Sequence, residues 1–326
     1  MLKAIYGGPG KRPVETSNEA EISAFFKEGR GCLWVDLESP TDEERGILDR
    51  VFGLHKLAIE HCLAQSNHPL INDYGDYFHL VVHGVKLTGA GSLSGQARVS
   101  LQEVDIFLGE NFLVTYHSGP DASMDAVRMK CLEVDRLMGR GPDRVLAEIL
   151  DLLAEQYVNV MEQFDTEIDA LEDRLFRHAS KPALREIFSL KKDVLRLRRV
   201  VNPQREVLNR LARTDHKAVS KEEAVYFRDV YDHIYRVAEM LESFRDVLSS
   251  AMEVYLTVVS NRTNDVVKVL TVFSIILMTG ALLAGIYGMN VPLPGQQSKA
   301  AVYVLLGAMA AVTGGLLIFF RKRKWI

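Results

Sequence analysis

Ten polar side chains in the second half of the chain keep one rhythm: Asp232, Arg236, Glu239, Ser243, Asp246, Ser250, Glu253, Thr257, Ser260 and Asn264 follow one another by alternate steps of four and three. That spacing lines them along one face of an α-helix. Continued at the same step, the series meets Val267, Thr271, Ser274, Met278, Ala281 and Gly285, small, hydroxylated or flexible residues in a stretch otherwise rich in Leu, Ile, Val and Phe. In the soluble part alone, such a stripe is the solvated face of an amphipathic helix. Within an apolar helix it serves close helix–helix packing or the wall of a water-filled path. The apolar stretch stops on Tyr287, Gly288, Met289 and Asn290, with Pro292, Pro294 and Gly295 close behind. Gly288 lets the backbone bend or approach, and the prolines end the helix and stiffen the turn. Asn290 has two readings at this level: a C-terminal cap, or a neutral amide presented to a ligand.

Other groups with chemical capacity are scattered. His55, His61, Cys62 and His68 cluster in LHKLAIEHCLAQSNH, ligand types suited to a transition metal but not at a standard spacing. His79 and His83 share one face of a strand, where packing competes with a ligand role. Lys191, Lys192, Arg196, Arg198 and Arg199 form a basic helix, read as a solvated face or as the partner of acidic helices such as 165–173. No P-loop and no nucleophile–base constellation is visible, which argues against an enzyme. The three cysteines, Cys32, Cys62 and Cys131, include no CxxC, so neither a disulfide framework nor a cysteine zinc site is expected. A formal net charge of -4 over 326 residues is too mild for a nucleic-acid binder.

The elements that must position the stripe follow from hydropathy and punctuation. Val269–Met289 and Ala300–Phe320 carry no charge, and each is long enough to cross a hydrocarbon core of about 30 Å. Two such runs with a short connection read as a membrane hairpin, with spans at about 266–289 and 300–320. The tail RKRKWI supplies four cations while the connecting loop has only Lys299, so the positive-inside rule puts both termini in the cytoplasm. Trp325 and Tyr287 are interfacial anchors or packing residues. MLKAIYGGPGKRPVE has no apolar core of a signal peptide, and the first domain is expected to stay cytoplasmic.

Residues 1–140 read as an α/β domain. Its strand signals are KAIYG, CLWVDL, YFHLVVHGVKL, ARVSLQEVDIFLG and FLVTYH, and its helix signals are SNEAEISAFFKEG and SPTDEERGILDRVFG, the latter capped by Ser39 or Thr41. LTGAGSLSGQA reads as a hairpin loop or a mobile tip. Residues 141–265 read as a helical hairpin and a long stalk: one helix over Pro142–His178, a second from about Pro182 to Arg213 broken near Asn202–Pro203, and a third opening on a Ser220/Glu223 capping box. The third has neither proline nor glycine before Gly280, a run of about 90 Å that continues into the first span. Residues 266–326 form the membrane hairpin and its basic tail. A second stalk stripe, Val230, Ile234, Val237, Leu241, Phe244, Leu248, Ala251, Tyr255 and Val258, is an apolar seam that needs a partner helix. Two spans cannot enclose a wet path, so a pore needs several copies around an axis, a homo-oligomer with closed rotational symmetry.

Over nearly its whole length the sequence resembles the CorA family of divalent-cation channels. The carriers are YGMN at Tyr287–Asn290, SNRTNDVVKVLT before it, a second span after it, and the basic tryptophan-bearing tail. Upstream, LWVDLESPTDEE, FGLHKLAIEHCL, VDIFLGENFLVTYH, LRRVVNPQREVL and YFRDVYDH are also similar to family segments. The resemblance implies a homopentamer in the plasma (bacterial inner) membrane, in contact with lipid and with a funnel-shaped cytoplasmic part. It implies a filter of Tyr287, Gly288, Met289 and Asn290, and a pore lined by Asn264, Val267, Leu270, Thr271, Ser274, Met278, Ala281 and Gly285. Val267, Leu270 and Met278 would be constrictions that gate by dewetting. Glu253 would join a regulatory metal site between subunits.

Two departures stand out. Thr88 occupies the position where members with that regulatory site carry a second carboxylate, and the loop VPLPGQQSK has no acid at the mouth. Mg²⁺ gives up water reluctantly. In the role that the resemblance implies, the Asn290 amide and the Gly288 and Met289 carbonyls would hold it through its own hydration shell. No covalently bound cofactor is expected. The implied function is passive Mg²⁺ uptake. The alternatives are Zn²⁺, Co²⁺ or Ni²⁺ transport as in the ZntB-like branch, or a membrane-anchored scaffold without flux.

Overall fold

The computed structural model describes residues 1–64, 68–88, 98–133, 135–177, 180–289, 299–323 and 325. In chain order the elements are β1 (Leu2–Gly8), β2 (Lys11–Thr16), α1 (Glu19–Glu28), β3 (Cys32–Glu38), α2 (Asp42–Arg45), α3 (Ile47–Arg50), α4 (Lys56–Ala64), β4 (Leu70–Asp73), β5 (Tyr77–Leu87), β6 (Val99–Gly109) and β7 (Phe112–His117). They continue as α5 (Ala122–Glu133), α6 (Asp135–Met138), α7 (Pro142–Arg177), α8 (Lys181–Ala212), α9 (Ala224–Tyr287) and α10 (Lys299–Lys322). Two compact units result, one of Met1–Arg174 with Ser180–Ala251, the other of Leu175–Ala179 with Met252–Ile326.

The first unit is built on a seven-stranded sheet in the order β2-β1-β3-β7-β6-β5-β4. Only β3 and β7 run parallel among its strand pairs, and the long connection through α2–α4 and the β4–β6 meander makes that geometry reachable. Strand alternation divides β3 between two faces. Leu33, Val35 and Leu37 join a core with Ile22, Ile47, Leu48, Ala58 and Cys62 from α1, α3 and α4. Trp34 and Asp36 take the other face, where Trp34 Nε1 donates to Thr115 Oγ1 at 3.1 Å and Thr115 Oγ1 donates to Asp36 Oδ1 at 2.6 Å. His117 closes this network, its Nε2 lying 3.1 Å from the same Asp36 oxygen.

Local chemistry sets the helix ends. Thr41, not Ser39, caps α2, in a full capping box with Glu44. Gly46 then divides the expected single helix into α2 and α3. β2 and β4 carried no strong strand signal because each is a short edge strand, β2 with Pro13 inside it.

Beyond the end of β4, the β5 edge would leave buried backbone groups without a strand partner. The long helices supply side chains instead. Gln204 of α8 accepts from the His83 amide at 2.9 Å, Tyr157 of α7 donates to the His83 carbonyl at 3.0 Å, and Gln156 accepts from the Val85 amide at 3.0 Å. Pro203 does not interrupt α8, contrary to the break expected near Asn202–Pro203. Val200, Val201, Gln204, Val207 and Leu208 around it are all buried, and that packing outweighs one lost amide donor.

α9 begins at Ala224, after a turn in which Ser220 Oγ still accepts from the Glu223 amide. The reciprocal half of the box is missing because the Glu223 carboxylate pairs with Arg140 at 2.6 Å. The apolar seam from Val230 to Ala251 is buried, with α7 and α8 alongside: His233 faces Asp151 at 3.5 Å, and Lys191 donates to Ser249 at 3.4 Å.

Candidate ion pathway

α9 is one uninterrupted helix of 64 residues, so the polar stripe keeps its register from Asp232 to Gly285. Every member from Asp232 to Asn264 is exposed. At about 100° per residue, Asn264, Val267, Leu270, Thr271, Ser274, Met278, Ala281 and Gly285 fall within an arc of roughly 120°. Within this arc Met278 is 68% exposed, Leu270 62% and Val267 53%.

α10 approaches from the other side. Gly280 lies against it: a Cβ there would stand 3.4 Å from the Met309 methyl. Val272 is buried on the same flank. The mean direction of Val272 and Gly280 is roughly 180° around the helix from the centre of the stripe. The chain's own second span therefore meets α9 on the side away from the stripe, while other faces of α9 within the span, Val269 and Phe273 among them, are as exposed as the stripe.

The stripe's chemistry suits hydrated cations. Thr271 Oγ1 donates to the Val267 carbonyl at 2.8 Å, and Thr257 Oγ1 donates to the Glu253 carbonyl at 2.9 Å. With its proton committed to the helix, each hydroxyl presents lone pairs outward. Such lone pairs are able to accept hydrogen bonds from water. Asn264 adds an exposed amide. The side chains of Val267, Leu270 and Met278 lie among these groups and are apolar.

At the end of α9, the Gly288 amide donates to the Ala284 carbonyl at 2.9 Å and the Met289 amide to Ile286 at 3.3 Å. A Cβ on Gly288 would come within 3.2 Å of the Ala284 carbonyl oxygen. Glycine thus permits this tight end. Asn290 and the loop through Ser298 lie outside the described residues.

The remaining candidates stand as follows. Glu253 is exposed on the stripe. Thr88 closes the β5–β6 hairpin, its amide and hydroxyl both donating to the Arg98 carbonyl at 2.7 and 3.2 Å. His79 is buried, with Nε2 2.9 Å from Asp105, and burial raises the Asp105 pKa above its ordinary value despite that partner. His83 faces Glu103 at 3.5 Å. Cys62 is buried while His55 and His61 are exposed, and no three metal-ligating side chains converge among the described residues. In the basic helix, Arg198 pairs with Glu242 and Arg196 donates to the Val99 carbonyl at 3.0 Å. Sequence reasoning missed the Gln156, Tyr157 and Gln204 caps and the Trp34–Thr115–Asp36–His117 network. A polar residue inside a strand was the only signal for the network, and it names no partner.

Comparison with known proteins decides what class of protein this is. A family model described as CorA-like Mg²⁺ transporter protein matches residues 29–322. The chain belongs to the CorA family. The Cobalt/magnesium transport protein CorA of Thermotoga maritima is 32% identical over 316 residues, covering 95% of this chain and 88% of that one. The complete structure of the CorA magnesium transporter from Methanocaldococcus jannaschii superimposes with a TM-score of 0.82 at 22% identity, covering 100% of this chain and 99% of that one. The full-length CmaX structure gives a TM-score of 0.74 at 17% identity over 97% of both chains. CorA membership makes this a membrane transport protein for divalent cations rather than an enzyme. The α/β domain, the long helix and the two apolar C-terminal helices are the CorA architecture.

Proposed function

We propose that this CorA protein is a passive divalent-cation channel, with Mg²⁺ as its first substrate, assembled as a homopentamer around the α9 stripe. Both termini face the cytoplasm, and the filter is Tyr287, Gly288, Met289 and Asn290 at the outer mouth. The observation that carries this reading is the placement of α10 on the back of α9. A stripe of hydroxyl, amide and small side chains left bare by its own hairpin is covered at least cost by water and by identical stripes from other copies. Val267, Leu270 and Met278 are the constrictions in this reading, and Glu253 is the regulatory carboxylate.

The driving force is the membrane potential. A divalent ion falling through 100 mV gains about 4.6 kcal/mol, so no nucleotide is required. The filter is neutral, which favours transit over trapping. Recognition of intact first-shell water fits an ion as reluctant to dehydrate as Mg²⁺. The loop 291–298 carries no acid, and that departure keeps open, as a second reading, a transition-metal substrate such as Zn²⁺, Co²⁺ or Ni²⁺.

Purified protein in liposomes under an imposed inside-negative potential tests both. Mg²⁺ influx is expected to exceed Zn²⁺ influx, and Asn290→Ala is expected to lower Mg²⁺ flux about tenfold by removing hydrogen bonds to a charged complex. Zn²⁺ influx exceeding that of Mg²⁺ would establish the second reading. Flux unchanged in Asn290→Ala removes the filter assignment, and no flux of any divalent ion from an intact oligomer removes the channel.

A further inference from the structure

The end of α10 is built for more than stopping a helix. Arg321 and Lys322 occupy its last turn and Arg323 follows, all three exposed. The chain then turns back: the Arg323 amide donates to the Phe319 carbonyl at 3.1 Å and the Trp325 amide to the Phe320 carbonyl at 3.0 Å. That closure stacks Trp325 on Phe320, with ring centroids 5.6 Å apart, and Phe320 is only 6% exposed. Phe319 packs edge-on against Phe320, and the Arg323 guanidinium lies over the Phe319 ring. Arg323 is thus held against a ring, and Arg321 and Lys322 stand beside it on the last helical turn. Among the described residues no carboxylate pairs with any of them.

The position of these cations along the helix identifies their partner. Tyr303, 77% exposed, stands near the opposite end of α10. Tyr303 and Arg321 are separated by about 27 Å along the axis, close to the thickness of a hydrocarbon core. With Tyr303 at one interface, Arg321, Lys322 and Arg323 lie at headgroup level on the other, and the Trp325 ring lies in the interfacial belt.

We infer that this end of α10 is a binding site for the anionic headgroup of a phospholipid in the cytoplasmic leaflet. The cations take the phosphate, and the Trp325 ring, held against the buried Phe320, packs on the adjoining glycerol and upper acyl region. A surface cation is worth about fivefold in attraction to anionic lipid, so the three together make the end of α10 selective for charge. The inference rests on the membrane reading of α10 and is independent of which ion is carried.

The test is made on the full chain in phosphatidylcholine nanodiscs containing a minor fraction of brominated lipid. A Trp34→Phe background leaves Trp325 as the only tryptophan, since the chain has two. Brominated phosphatidylglycerol is expected to quench Trp325 more than brominated phosphatidylcholine at equal fraction. The difference is expected to vanish in Arg321→Gln/Lys322→Gln/Arg323→Gln and to survive excess glycerol phosphate in solution. Native mass spectrometry of the unsubstituted protein, which needs no tryptophan change, is expected to retain phosphatidylglycerol over phosphatidylcholine. Equal quenching and equal retention by the two lipids would overturn the site, and displacement by glycerol phosphate would make it a soluble-anion site instead. No quenching by any acyl-brominated lipid would reject the membrane reading itself.

Discussion

At the residue scale, His117 shows how a buried network becomes a pH response. Burial opposes charge on its ring, but Asp36 on one nitrogen, the Gly119 carbonyl on the other and Asp121 nearby together raise its pKa above 6.5. Both ring nitrogens face acceptors, so the doubly protonated form is the satisfied one. A histidine with a raised pKa stabilises the fold fully below its ordinary value, and that stability is lost as pH rises through the folded pKa. Urea unfolding of the full chain in detergent, followed by Trp34 emission in a Trp325→Phe background, is expected to show a midpoint that falls from pH 5 to pH 8. His117→Asn is expected to flatten that slope, and a slope identical in the two proteins would dismiss the network as its source.

At the element scale, the β5 edge shows how helices replace a missing strand. Gln204, 2% exposed, is the acceptor for a buried backbone amide at His83, and Tyr157 is a donor to the carbonyl of the same residue. Gln204→Leu leaves that amide unpaired away from water and is expected to cost about 1–3 kcal/mol. Tyr157→Phe removes one hydroxyl from a carbonyl and is expected to cost about 1 kcal/mol. Denaturant midpoints of the two variants give the order, and equal or negligible losses would mean that water replaces the side chains. Neither glutamine nor tyrosine announces this duty locally, since its target lies 121 residues away for Gln204 and 74 for Tyr157.

At the scale of the whole molecule, the question is what covers the stripe. Ser274 sits on it, and Ile276 lies roughly 180° from its centre, on the flank that α10 takes. In the pentamer proposed above, a membrane-impermeant thiol reagent is expected to abolish most of the Mg²⁺ flux of Ser274→Cys and little of that of Ile276→Cys. The reverse pattern would turn the stripe toward lipid and end the pore assignment. The native cysteines do not confuse the reading, because Cys32, Cys62 and Cys131 are all buried.

The sequence by itself determined whatever depends on period and punctuation. Two apolar runs, an uninterrupted 4-3 rhythm and Thr41 as one of two cap candidates are local facts, and each reappears in the fold. Family membership was equally legible, because YGMN and its flanks are contiguous in the chain. What only the tertiary structure decided is which groups meet. The continuity of α8 through Pro203, the Gln204 and Tyr157 caps, the His117–Asp36 pair and the flank that α10 takes on α9 all depend on contacts between distant segments. Helix and strand periods say which face a residue occupies, but the neighbour on that face is chosen by packing the whole chain.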